Sequence, residues 1–182
     1  KFYPIHPTES EVFGYQAYRS ALELPEVPDL VMLVLPAPKV APILDQFGQI
    51  GTKRAIVITA GFRETGSDGL RLDEELIETA GRHGIRFLGP NCMGIINSNI
   101  DLNVTVLPLT TAPGPLSMVS QSGTYITQTL PCLQKRGIRL SQAVSVGNEA
   151  DLNLTDALEY LGYDDQTKAI ILYIEGLQKA ER

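Results

Sequence analysis

Short turns of small and polar residues recur along the chain: Pro36-Ala37-Pro38, Thr59-Ala60-Gly61, Gly89-Pro90-Asn91-Cys92, Ser120-Gln121-Ser122-Gly123, Val146-Gly147-Asn148-Glu149 and Glu175-Gly176. Each follows a stretch that reads as a strand. Small residues let a ligand approach the backbone closely. In open parallel sheets, ligands gather at the carboxyl ends of the strands, where such turns would lie. The Ser122-Gly123 turn opens a helix-like run, and a helix N-terminus offers an anion unpaired N–H groups and a partial positive charge. The hydroxyls of Ser120 and Ser122 would add hydrogen bonds to a phosphate. A plain helix cap is the competing use of the same serine. A nucleophilic serine on a strained elbow wants glycine two residues to either side, and this chain has Ser120 and Thr124 there. Its triad would also need a histidine; only His6 and His83 exist, and His83 closes a helix. A hydrolase is therefore disfavoured.

Glu175 ends an apolar strand and precedes glycine, so its carboxylate would face the same edge as Ser122. Beside an imidazole, such a group holds one tautomer and stabilises positive charge; alone, it is an exposed glutamate at a strand end. The polar cluster from Asn148 to Asp151 reads as caps for a helix starting near Asn153. Cys92 reads as a small buried residue, because nothing near it in sequence would lower its pKa. Neither a GxGxxG nor a GxxxxGK[ST] signature occurs.

The elements that must position these turns follow from the apolar pattern. The unbroken apolar run 30–35 suits a strand buried on both faces of a parallel sheet, and 55–59 and 85–88 read as the next two strands. Between them, Val40, Ile43, Leu44 and Phe47 share one helical face, with Pro42 in the first turn. Leu72, Leu76, Ile77 and Ala80 share another, with Asp68 as N-cap and Gly84 as stop. The region 95–115 is rich in Asn, Thr and Pro, has no helical period, and reads as a linker. The alternation then resumes: strand 116–120, helix 123–136, strand 140–146, helix 153–163 and strand 169–174. Pro131 should kink or shorten the first of these helices. The fold class is thus α/β with parallel sheets and right-handed crossovers.

The 182 residues suit one large domain or two small ones. A net charge of −6 with no dense Lys/Arg stripe argues against nucleic acid. No apolar run is long enough to span a membrane. Cys92 and Cys132 lack metal-ligand spacing, which gives no metal site and suits a reducing, cytoplasmic setting. The ends, at Lys1-Phe2-Tyr3 and after Gly176, read as those of a piece of a longer chain.

Taken together, "LVLPAP", "VITAGF", "FLGPNCMGIIN", "PGPLSMVSQSGT", "AVSVGNEADLNLTDALEYL" and "AIILYIEGL" resemble the nucleoside-diphosphate-forming acyl-CoA synthetases, the superfamily that includes the succinyl-CoA synthetase α subunit. The resemblance covers nearly the whole chain in the same order. It implies a Rossmann-like CoA-binding domain over 1–98, lacking its first strand and Gly-rich loop. A linker over 99–111 and a truncated flavodoxin-like succinyl-CoA ligase domain over 112–182 would follow. It further implies that an acid, CoA and ATP give acyl-CoA, ADP and phosphate through an acyl phosphate and a phosphohistidine. In that scheme Pro36, Ala37, Pro38, Ile58, Thr59 and Ala60 contact CoA, and Asn91 shapes the active-site edge. Ser120, Ser122 and Gly123 hold the phosphoryl group, and Glu175 orients the phosphohistidine.

Neither His6 nor His83 matches that histidine, which the resemblance places downstream of Arg182. ATP and Mg would sit outside this chain, on an ATP-grasp domain or subunit in a larger assembly. Thr127 stands where the succinyl enzyme carries a tyrosine, which points from succinate toward acetate or a similar short acid. Residues 1–182 alone should give no ligase turnover. Two other readings stay open. One is an acyl-CoA-sensing region of a protein lysine acetyltransferase, without ligase activity. The other is an interaction module with a degenerate site.

Overall fold

The structure, a computed structural model, describes residues 1–106, 108 and 112–176. Part of the expected linker and the residues after Gly176 lie outside the described residues. The chain opens with a small antiparallel hairpin, β1 (Glu11–Val12) and β2 (Tyr15–Gln16), turned through Phe13 and Gly14 at positive φ. Then come β3 (Val31–Leu33), α1 (Val40–Gln49), β4 (Arg54–Val57), α2 (Ser67–His83) and β5 (Arg86–Leu88). Among the described residues, β3, β4 and β5 form a parallel three-stranded sheet in that order.

The helices sit where the apolar spacing put them. Val40, Leu44 and Phe47 of α1 are buried, and Ile43 packs beside them. On α2, Leu76 and Ala80 are buried, and Gly84 at φ 61 caps its end in the left-handed conformation that glycine adopts without penalty. Two expectations fail here. Ile77 is 40% exposed, because the inward positions go to Asp73, Leu76 and Ala80. Asp68 lies inside the first turn, since the helix begins at Ser67 behind Gly66. His83 packs against α1: its Nε2 lies 2.8 Å from Asp45 Oδ1, over Gly48, whose missing side chain leaves room for the ring.

The second unit holds β6 (Gly94–Asn97), β7 (Leu102–Thr105), β8 (Pro113–Ser120), α3 (Gly123–Lys135), β9 (Leu140–Ser145), α4 (Leu154–Gly162) and β10 (Ala169–Tyr173). Its sheet runs β10-β8-β9-β6-β7, with β10, β8 and β9 parallel. β6 and β7 form an antiparallel hairpin on the far edge. This corrects the reading of that stretch as unstructured linker: Leu102–Thr105 is a strand, and the preceding Gly94–Asn97 pairs with β9. An added Cβ at Gly94 would stand 2.0 Å from the Val104 carbonyl, so only glycine permits the pairing. Pro131 does not shorten α3, which continues to Lys135.

The two units share a core. Ile56 and Leu88 of the first sheet pack in one cluster with Val119, Val144, Val146, Leu154 and Leu161. Each such side chain contributes about 1.5–3 kcal/mol of burial. The free edge of β5 is closed by the loop leading into α4. There Leu152 N–H donates to Phe87 O (3.2 Å), Ala150 N–H to Gly89 O (3.1 Å), and Phe87 N–H to Asp151 Oδ2 (2.7 Å). α3 covers the other face through Ile126 and Leu130. Among the described residues, no helix is long and apolar enough to cross a membrane.

Candidate active site at the strand ends

Pairing register sets the site. Tyr173 pairs with Ser120, Ser120 with Ser145, and Ser145 with Gly94, so the ends of β10, β8 and β9 and the start of β6 are level. The turns holding Glu175, Ser122, Asn148 and Asn91 therefore emerge along one edge.

In the first unit, Thr59 joins two turns. Its hydroxyl donates to Leu35 O (2.8 Å) and accepts from Leu35 N–H (3.2 Å), which fixes the start of Pro36-Ala37-Pro38. Ile58 N–H donates to Leu33 O (3.1 Å), and Ala60 is exposed. Gly61, at φ 103, lies so near Ala37 that an added Cβ would sit 3.2 Å from the alanine's own. The two turns thus lie in contact, with small residues where they meet.

Asn91 is the junction. It is exposed, at φ 57, a left-handed conformation that asparagine tolerates. Its N–H donates to Thr59 O (2.8 Å), and its Nδ2 donates to Asn148 Oδ1 (3.2 Å) in the second unit. Asn148 Nδ2 in turn donates to Glu64 Oε2. Glu64 Oε1 accepts from the N–H groups of Gly61 (2.6 Å) and Phe62 (3.2 Å). Shielding by the surrounding turns opposes the Glu64 charge, yet the Gly61 N–H and the Asn148 amide hold its carboxyl below the usual range. Beneath it, Arg63 pairs with Asp73, which is 1% exposed. Burial pushes the Asp73 carboxyl up, against the pull of Arg63.

In the second unit, Ser122 is the N-cap of α3, its Oγ accepting from Tyr125 N–H (3.3 Å). Ser120 is fully buried, its hydroxyl donating to Ser122 O (2.7 Å) and accepting from Ser122 N–H (3.0 Å), which shapes the turn. Gly123 lies against the Asn91–Met93 turn, where an added Cβ would stand 3.0 Å from Met93 Cβ. The Tyr125 and Tyr173 rings stack at 4.2 Å beside it. Thr127 donates to Thr124 O within the helix.

Glu175 is exposed, and no partner for its carboxylate is found among the described residues. Gln121, passed over by the sequence reading, holds its backbone (Glu175 N–H to Gln121 Oε1, 2.6 Å). Glu149, also passed over as a site residue, does cap α4 through Leu154 N–H (2.7 Å), alongside the Asn153–Asp156 capping box. Asp151 instead pairs with Arg86 across the units (2.9 Å). Cys92 is buried, and burial pushes its thiol up to about 12. His6 and His83 take no part in these hydrogen bonds.

Residues 1–98 match a CoA binding domain and residues 113–182 a succinyl-CoA ligase like flavodoxin domain. An ADP-forming acetate–CoA ligase I of Archaeoglobus fulgidus is 38% identical over 99% of this chain and 26% of its own. The α subunit of an ADP-forming acetate–CoA ligase II of Pyrococcus furiosus is 41% identical over 100% of this chain and 40% of its own. This chain thus spans only about a quarter to two-fifths of the length of these curated relatives. A solved acetyl-coenzyme A synthetase 1 of Candidatus Korarchaeum cryptofilum, in complex with phosphate and ADP, superposes with a TM-score of 0.91 at 36% identity, covering 98% of this chain and 38% of that one.

Proposed function

The chain belongs to the NDP-forming acyl-CoA synthetase superfamily, and we propose that it supplies the CoA-binding and acyl-transfer units of an ADP-forming ligase. The reaction joins a short carboxylic acid, acetate or one like it, to CoA, with ATP cleaved to ADP and phosphate. One observation carries this reading: hydrogen bonds through Asn91 tie the small-residue turns of the first unit to the Asn148 turn of the second, and Gly123 at the start of α3 lies against Met93 in the same turn.

CoA lies along Pro36, Ala37, Pro38, Ile58, Thr59 and Ala60, two turns that the Thr59 hydroxyl ties together. Asn91 joins these turns to the second unit. CoA supplies the thiol that takes the acyl group. The helix start offers the Gly123 N–H and the Ser122 hydroxyl to the phosphoryl oxygens, with Ser120 shaping the turn from behind. Glu175 offers its carboxylate to a histidine carried elsewhere. ATP and Mg belong to an ATP-grasp unit, fused or separate.

The test supplies the full-length protein and its ATP-grasp unit with ATP, magnesium, CoA and acetate, and follows free thiol. ATP- and acetate-dependent thiol loss is expected. CoA binding without thiol loss would overturn the ligase reading and fit an acyl-CoA sensor.

A further inference from the structure

The side-chain amide of Gln121 uses all its hydrogen-bonding capacity on one task. Its oxygen accepts from the N–H groups of both Glu175 (2.6 Å) and Gly176 (3.1 Å). Its nitrogen donates to Gly176 O (2.8 Å) and to Glu149 Oε2 (2.9 Å). Two N–H groups on one side and two acceptors on the other fix which end of the amide is oxygen. Its own backbone N–H donates to Tyr173 O (3.2 Å). Gln121 thus fastens the turn carrying Glu175 to the loop that opens α3.

The arrangement is anchored from below. Glu149 sits at φ 55, where a residue with a side chain is strained. One of its carboxylate oxygens caps α4 at Leu154 N–H (2.7 Å) and the other receives Gln121. Leu154 belongs to the core shared by the two units. A continuous set of hydrogen bonds therefore runs from that core through Glu149 and Gln121 to the Glu175 backbone, while the Glu175 carboxylate itself stays exposed. Strained backbone kept in place by surrounding contacts is characteristic of positions where geometry matters.

We infer that Gln121 is the positioning residue for Glu175, setting the direction in which its carboxylate meets the phosphoryl-carrying histidine, with Glu149 as its anchor. The inference rests on the function proposed above for Glu175. Loss of the clamp leaves CoA bound and impairs phosphoryl handling, since a misplacement of about 1 Å costs up to about 100-fold in rate.

The test is a double-mutant cycle in the full-length protein with its ATP-grasp unit, using Gln121→Met and Glu175→Gln. Gln121→Met is expected to lower kcat and the yield of phosphohistidine formed from ATP, with KM for CoA unchanged. The double variant is expected to lose no more than Glu175→Gln alone, because the two act as one unit. Multiplicative losses, or a raised KM for CoA with kcat intact, would overturn the inference. A second readout needs no turnover: backbone amide exchange at Glu175 and Gly176. Gln121→Met should speed it by at least about tenfold, the loss expected for one hydrogen bond worth about 1.4 kcal/mol. Unchanged exchange would overturn the inference whatever the enzyme's activity, whereas a wild type without thiol loss refutes the proposed ligase itself.

Discussion

Gly147→Ala tests whether the two units meet as tightly as the site requires. Gly147 sits at φ 59, and an added Cβ would stand 2.3 Å from Pro90 O and 2.7 Å from Asn91 O. The left-handed backbone alone costs a residue with a side chain about 1–2 kcal/mol. Forcing apart a packed contact adds about 1–3 kcal/mol. The sum is about 2–5 kcal/mol; with a urea dependence of about 2 kcal/mol per molar, the unfolding midpoint falls by about 1–2.5 M. Gly137→Ala is the matched control. It has φ 73, and nothing lies within 4 Å of its added Cβ. It bears the strain without the collision, so its midpoint should fall by only about 0.5–1 M. Entropy lost from the unfolded chain is the same for both and cancels. Urea titrations of the two variants, followed by circular dichroism, give the comparison. Equal midpoints would refute the close approach of Gly147 to the Asn91 turn, and with it the junction on which the site depends.

Other consequences can be checked on the same protein. Arg63→Met leaves the Asp73 carboxylate buried without its cation and should cost about 3 kcal/mol in urea unfolding; a loss under half of that would show the pair to be dispensable. A thiol reagent should label Cys132, which is exposed, and spare Cys92 until the protein is unfolded; rapid labelling of both would contradict the burial of Cys92. The Glu64 carboxyl is held low, so the stability it contributes is present above the usual carboxylate range and lost as pH falls through its lowered folded value. The stability difference between wild type and Glu64→Gln should therefore be full at pH 7 and shrink below about pH 4. A difference constant with pH would show that the charge plays no part.

What the sequence made legible follows distance along the chain. The first parallel strand shows as an unbroken apolar run, and α1 shows through Val40, Leu44 and Phe47 at helical spacing. Gly84 marks the end of α2 because a left-handed stop favours glycine. The Ser122 cap and the strand-end turns are local features as well. The β6–β7 hairpin was not legible, because its strands are short, carry asparagines, and depend on β9 for a partner. Ile77 looked inward by spacing, yet Asp73 holds the inward position through Arg63, ten residues away. The roles of Glu64 and Gln121 between turns gave no signal because Asn148 lies 84 residues from Glu64, and Glu175 lies 54 from Gln121. The inward turn of the Ser120 hydroxyl depends on the conformation of its own loop, which residue types alone do not specify.

The central claim is that CoA lies across the small-residue turns of the first unit and reaches the second at Asn91. The most direct measurement is a crystal structure of the full-length protein with CoA bound. The account predicts the ligand along Pro36-Ala37-Pro38 and Ile58-Thr59-Ala60, with its thiol end at the Asn91 and Ser122 turns. CoA bound on any other face, or with its thiol directed away from Ser122 and Glu175, would contradict it.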